Sequence, residues 1–210
     1  QVGDSSDHSC GWMPPELRTQ RQCPRKAYFA TLENPAADVV AASAAALALI
    51  ANVHIKLGTE LDYAVLCLER AEALYRFARQ SPETVAQTDD GFYLHEYAAD
   101  KLAWAAVWLY VATGQVDYLN HIVGDIGGWQ DPAVWNSGYF SMYPGFSSPL
   151  DGWLESWTYT WQSARSAAFL KLAEVLMNAT EGYAEGSPRR LLATKMQSIA
   201  RDDSTAWLDA

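Results

Sequence analysis

Apolar positions along the chain recur at helical spacing, one stretch after another. Asn34 is a good N-cap and Pro35 a good first helical residue. From there the run DVVAASAAALALIANVHIKL predicts a helix that stops near Gly58. Its alanines permit close approach of neighbouring helices, and it reads as a buried helix. Leu61 to Gln80 is the next helix. Leu61, Val65, Leu68, Leu74 and Phe77 recur near helical spacing, with Glu69, Arg70, Glu72, Arg76 and Arg79 on other faces. Ser81-Pro82 ends it. After the loop QTDDGFYLHE, Tyr97 to Thr113 predicts a third helix. It is apolar on nearly every side, with Trp104 and Trp108 one turn apart. Gly114 is its stop, and a shorter helix runs from Val116 to Val123. A long loop rich in Gly, Pro and Trp follows from Gly124 to Leu154. Trp157 to Met177 is a fifth helix and Arg189 to Leu208 a sixth.

No Val/Ile/Thr run alternates long enough to predict a sheet, so the class is all-α. Paired helices joined by alternately short and long loops fit an α-solenoid or an α/α toroid. Function in such folds sits on the loops that a rigid scaffold presents.

Composition narrows the classes. The net charge is −10, and the only dense basic groups are Arg18–Arg21–Arg25–Lys26 and Arg189–Arg190. Nucleic acid is therefore not the expected partner. No apolar run free of polar interruption predicts a membrane span. Nine Trp and eleven Tyr in 210 residues are many. Two readings of them stand: core filling, or a sugar-binding cleft in which flat rings stack on pyranose faces. Of the three cysteines, Cys10 and Cys23 flank one loop and can pair in an oxidising compartment. Cys67 lies in an apolar helical segment and reads as a small hydrophobe. Asn178-Ala179-Thr180 fits a glycosylation sequon.

Several candidate chemistries fall away. Asp89-Asp90 and Asp202-Asp203 are paired acids in polar turns or helix ends, where capping and surface roles suffice. The four histidines show no metal-ligand spacing. Asp7-His8-Ser9 cannot form a triad, because adjacent residues do not give the orienting geometry.

Three stretches resemble one family. QVGDSSDHSCGWMPPE is similar to a QVGDxxxDHxxW…PE segment, NPAADVVAASAAALAL to NPGSDVAAETAAALAA, and DKLAWAAVWLYVATGQVDYL to DELxWxAxWLYxATGDxxYL. The family is glycoside hydrolase family 9, mostly cellulases. The matches come in the family's order over roughly residues 1 to 120, and 155 to 177 is a weaker match.

The resemblance implies an (α/α)6 barrel of helical hairpins and secretion. It implies hydrolysis of β-1,4-glucan with inversion by an Asp base and a Glu acid, held about 6.5–9.5 Å apart around a water. The family's Asp-Ala-Gly-Asp motif belongs upstream of QVGD, and its HPHxR motif and acidic Glu downstream of the matched helices. Neither motif occurs here. Residues 1–210 are thus expected to be an incomplete catalytic domain lacking both ends and the catalytic pair, inactive alone and poorly behaved in solution. Two further readings are an inactive carbohydrate-binding or structural protein derived from the same barrel and, lower, an unrelated α-solenoid interaction protein.

By the same resemblance His8, Trp12, Tyr93 and Trp157 line the glucan cleft. The two tryptophans would stack on glucose rings, Tyr93 would stack or donate its hydroxyl, and His8 would hydrogen-bond sugar hydroxyls. Gly11 is an extra residue between Cys10 and Trp12. Many family members bind calcium through an Asp-Glu pair at the start of the third helix and an Asp early in the fifth. Here the pair reads Asp100-Lys101 and the later position Gln162. A carboxylate has become a cation and another a neutral amide, so no cofactor is expected, calcium included. Lys101 is expected to place its ammonium near the metal position or to point to solvent.

Overall fold

The computed structural model describes residues 27–82 and 98–123, isolated positions at Cys10, Pro14, Glu16 and Thr84, and eight residues between 164 and 175. Four helices are complete: α1 (Ala37–Leu57), α2 (Leu61–Gln80), α3 (Ala99–Thr113) and α4 (Asp117–Val123). Among the described residues there is no strand, only an isolated bridge at Ala27. His8, Trp12, Tyr93, Trp157, Gln162, both acidic pairs, the sequon, the 124–154 loop and the sixth helix lie outside the described residues.

The helix ends follow local chemistry. Gly58 closes α1 in a left-handed conformation, φ 65°, and Thr59 N–H returns to the His54 carbonyl at 3.0 Å. Gly114 does the same for α3 at φ 72°, donating to the Tyr110 carbonyl at 2.7 Å. An L side chain is strained there, which is why glycine stands at both stops. The start of α1 differs from expectation. Its cap is Ala36, with no side-chain cap, and the first helical bond runs from Val40 N–H to the Ala36 carbonyl at 2.9 Å. Asn34 is instead committed to a turn with Thr31. Its N–H donates to Thr31 Oγ1 at 3.0 Å and its carbonyl accepts Thr31 N–H at 3.1 Å.

α1 packs mainly on α2 and α3, and α3 on α4. The buried positions of α1 and α2 are mostly small residues, Tyr75 being the large exception. Ala41, Ala44, Ala45, Ala48 and Ala51 are buried on α1, and Ala64, Cys67, Ala71, Tyr75 and Ala78 on α2. The stripe expected on α2 is displaced by this packing. Leu61 and Val65 are exposed, while Leu68, Leu74 and Phe77 flank the core part-buried. Close approach is possible along the face where small side chains dominate, so that face wins the centre. Cys67 is a free, buried thiol on this face, as expected. Cys10 is disulfide-bonded.

α3 is the central element. Leu102, Val107 and Leu109 have no exposed surface, and Trp104 and Trp108 meet edge-on at 5.4 Å. Ala168, Leu172 and Val175 join the same core.

The outward side of α1 is less buried than its sequence implied. Val39, Ile50, Val53 and Leu57 are exposed and no charged side chain interrupts them between Val39 and Val53. By length and composition alone α1 is long and apolar enough to cross a membrane, but its other face packs on two helices of the bundle.

Candidate functional site

The candidate site lies at the start of α3. Asp100 and Lys101 stand in its first turn, both buried. Lys101 Nζ donates to Asp100 Oδ2 at 2.7 Å. The same oxygen accepts the backbone N–H of Ala164 at 2.7 Å, across 64 residues of chain. Ala164 itself is not helical, and its carbonyl accepts the Ala168 N–H at 2.9 Å, the first bond of the helical stretch that reaches Val175. Ala164 thus stands outside that helix, whose first described residue is Ala167, ten residues beyond the expected start at Trp157. The Asp100 carboxylate sits at its N-terminal end, where the helix dipole and an orphan N–H favour negative charge.

This bond joins two points of the chain that each follow a candidate residue in the sequence. Tyr93 precedes Asp100 by seven residues and Trp157 precedes Ala164 by seven. A crossing contact further along braces the pair: Lys171 Nζ lies 4.8 Å from the Trp108 ring centre while binding Glu174 at 2.8 Å.

Calcium requires six to eight oxygen ligands. At this position one Asp100 oxygen already accepts two donors, and one of those is a cation. Asp100 Oδ1 is buried without a partner among the described residues. Among the described residues, the one carboxylate oxygen left open beside an ammonium is a poor calcium cradle. Of the two expected placements for Lys101, solvent is excluded by its burial.

A second polar group was not evident from periodicity. Tyr75 of α2 and His121 of α4 meet at 3.0 Å between the hydroxyl and Nδ1. Tyr118 donates to Glu72 Oε1 at 3.2 Å, and Arg79 lies 5.8 Å from the Tyr75 ring centre. Burial, then the Arg79 guanidinium, hold the His121 imidazole below its ordinary value, against the pull of Asp117. Burial, then the Glu72 charge, push the Tyr118 phenol up to about 12. Glu72, Tyr75 and Arg79 share one face of α2, as Tyr118 and His121 share one of α4. That spacing was the signal available in the sequence.

The glycosyl hydrolase family 9 model matches residues 1–209, and the chain belongs to that family. It is 34% identical to endoglucanase 15 of Arabidopsis thaliana over 142 residues, 65% of this chain and 28% of that protein. It is 36% identical to endoglucanase 5 of Oryza sativa subsp. japonica over 136 residues, 61% and 24%. The chain thus spans about a quarter of the length of these relatives. Among solved structures, the catalytic domain of Clostridium thermocellum CelT superposes with a TM-score of 0.64 at 28% identity, covering 95% of this chain and 34% of that one. A C. cellulolyticum cellulase in complex with cellobiose gives 0.67 at 22%, covering 96% and 39%, a likeness of fold. The helical hairpins described above are therefore part of an (α/α)6 barrel.

Proposed function

We propose that this chain is the middle of a secreted β-1,4-glucan hydrolase that acts with inversion. It supplies scaffold helices and part of the cleft wall, and the catalytic Asp and Glu are supplied by residues beyond these 210. The observation that carries the reading is family membership over residues 1–209, joined to a helical fold like that of the catalytic domain of Clostridium thermocellum CelT. The disulfide at Cys10 supports an oxidising compartment.

In this reading Trp12 and Trp157 stack on glucose rings, Tyr93 stacks or donates its hydroxyl, and His8 binds sugar hydroxyls. Calorimetry of cellotetraose binding to the intact protein tests the assignment. Trp157→Ala is expected to weaken binding about tenfold or more, as loss of a buried aromatic anchor does. Unchanged affinity in Trp157→Ala and His8→Ala would remove both residues from the cleft. The 210-residue chain alone is expected to release no reducing sugar from carboxymethyl cellulose, and release would overturn the division of labour. If the intact protein binds glucan tightly yet hydrolyses none, the carbohydrate-binding alternative replaces the enzyme.

A further inference from the structure

The family resemblance implies a divalent cation where the third helix begins, and the described residues at that place do not fit one. Asp100 Oδ2 is filled by two donors, Lys101 Nζ and Ala164 N–H, each at 2.7 Å. Both side chains of the ion pair are almost entirely buried, at 6% and 4% exposure. A metal seated on the remaining oxygen, Oδ1, would face the ammonium across one carboxylate.

We propose that Lys101 is a tethered replacement for the metal, so that this junction closes without calcium. A buried carboxylate needs a nearby positive charge to stay ionised, and it needs hydrogen-bond donors on its oxygens. A calcium ion supplies the charge from solution and couples the fold to calcium concentration. Lys101 supplies it from the neighbouring residue, at fixed stoichiometry. Neutralised in place, Asp100 holds the Ala164 N–H and with it the start of the helix running to Val175. Lys101 is therefore a positioning residue. Its role concerns the fold's dependence on metal and stands whether or not the protein hydrolyses glucan.

Thermal unfolding of the intact protein, with millimolar calcium chloride or with a chelator, tests it. The wild-type midpoint is expected to be the same in both, and a calcium titration by calorimetry to show no saturable heat. Lys101→Met is expected to melt about 5 °C or more below wild type in both conditions. Lys101→Glu places two carboxylates together. It is expected to melt low in chelator and to regain part of the difference with calcium, a response that a purely steric role for Lys101 would not give. A wild-type midpoint that rises with calcium overturns the proposal, as does a Lys101→Met protein as stable as wild type. Should Lys101→Glu fail to fold, the wild-type titration and Lys101→Met still decide it.

Discussion

At the start of α3 a carboxylate and an ammonium are buried together 2.7 Å apart, while between α2 and α4 a phenol and an imidazole meet at 3.0 Å. Both contacts place polar groups inside an alanine-rich bundle. The first is an ion pair between neighbouring residues, with a backbone N–H as third member on the same carboxylate oxygen. The second joins a hydroxyl to an imidazole whose charged form is disfavoured by burial and by Arg79. The difference concerns what happens when one partner is lost. A buried ion left alone costs far more than a neutral hydrogen-bonding group left alone, which can find water at a half-exposed edge.

Asp100→Ala should therefore be the most damaging single change. It removes the carboxylate from Lys101 and from Ala164 together, and is expected to cost about 3–5 kcal/mol in denaturant unfolding. A loss under about 1 kcal/mol would mean that the pair is not a structural junction. The alanine-rich packing of α1 on α2 comes next. Ala71 has no exposed surface, so Ala71→Leu should cost about 1–3 kcal/mol by forcing α1 and α2 apart. Tyr75→Phe deletes only the hydroxyl that meets His121, and about 1 kcal/mol is expected from the same unfolding measurement.

The smallest expected effect is one of pH. His121 has a lowered pKa in the folded protein, so the unfolded chain binds the proton more readily. Its contribution to stability is full above the unfolded value of about 6.5 and is lost as pH falls below it towards the folded value. His121→Gln should flatten that part of a melting-temperature profile while leaving the profile above neutrality unchanged. An identical acid slope in wild type and variant would show that other groups carry it.

α1 and α2 differ on their outer sides in a related way. Glu69, Arg70, Arg76 and Arg79 give α2 a charged, exposed side. On α1 the exposed positions include Val39, Ile50 and Val53. Uncovered apolar faces promote association. The 210-residue chain in isolation is accordingly expected to sediment as more than a monomer, with Ile50→Lys shifting it towards the monomer. A monomeric, cooperative melt of the unaltered chain would count against this.

Among the described residues, the sequence by itself determined which stretches are helical and where α1, α2 and α3 stop. Local chemistry is sufficient for that: only glycine takes the left-handed turn cheaply at Gly58 and Gly114, and Pro82 cannot continue a helix. The ordered motifs also made the family legible. Three things were decided by tertiary structure. The buried face of α2 is the one that carries Ala64, Cys67, Ala71 and Ala78 with Tyr75, although Leu61 and Val65 gave the stronger apolar signal, because small side chains let two backbones approach. Ala164, expected inside a helix, stands outside the one that reaches Val175, with its N–H taken by Asp100, 64 residues away. Lys101, charged and expected either at the metal position or in solvent, is inside. Burial of a lysine depends on a carboxylate waiting in the right place, and the helix packed against α3 completes that arrangement.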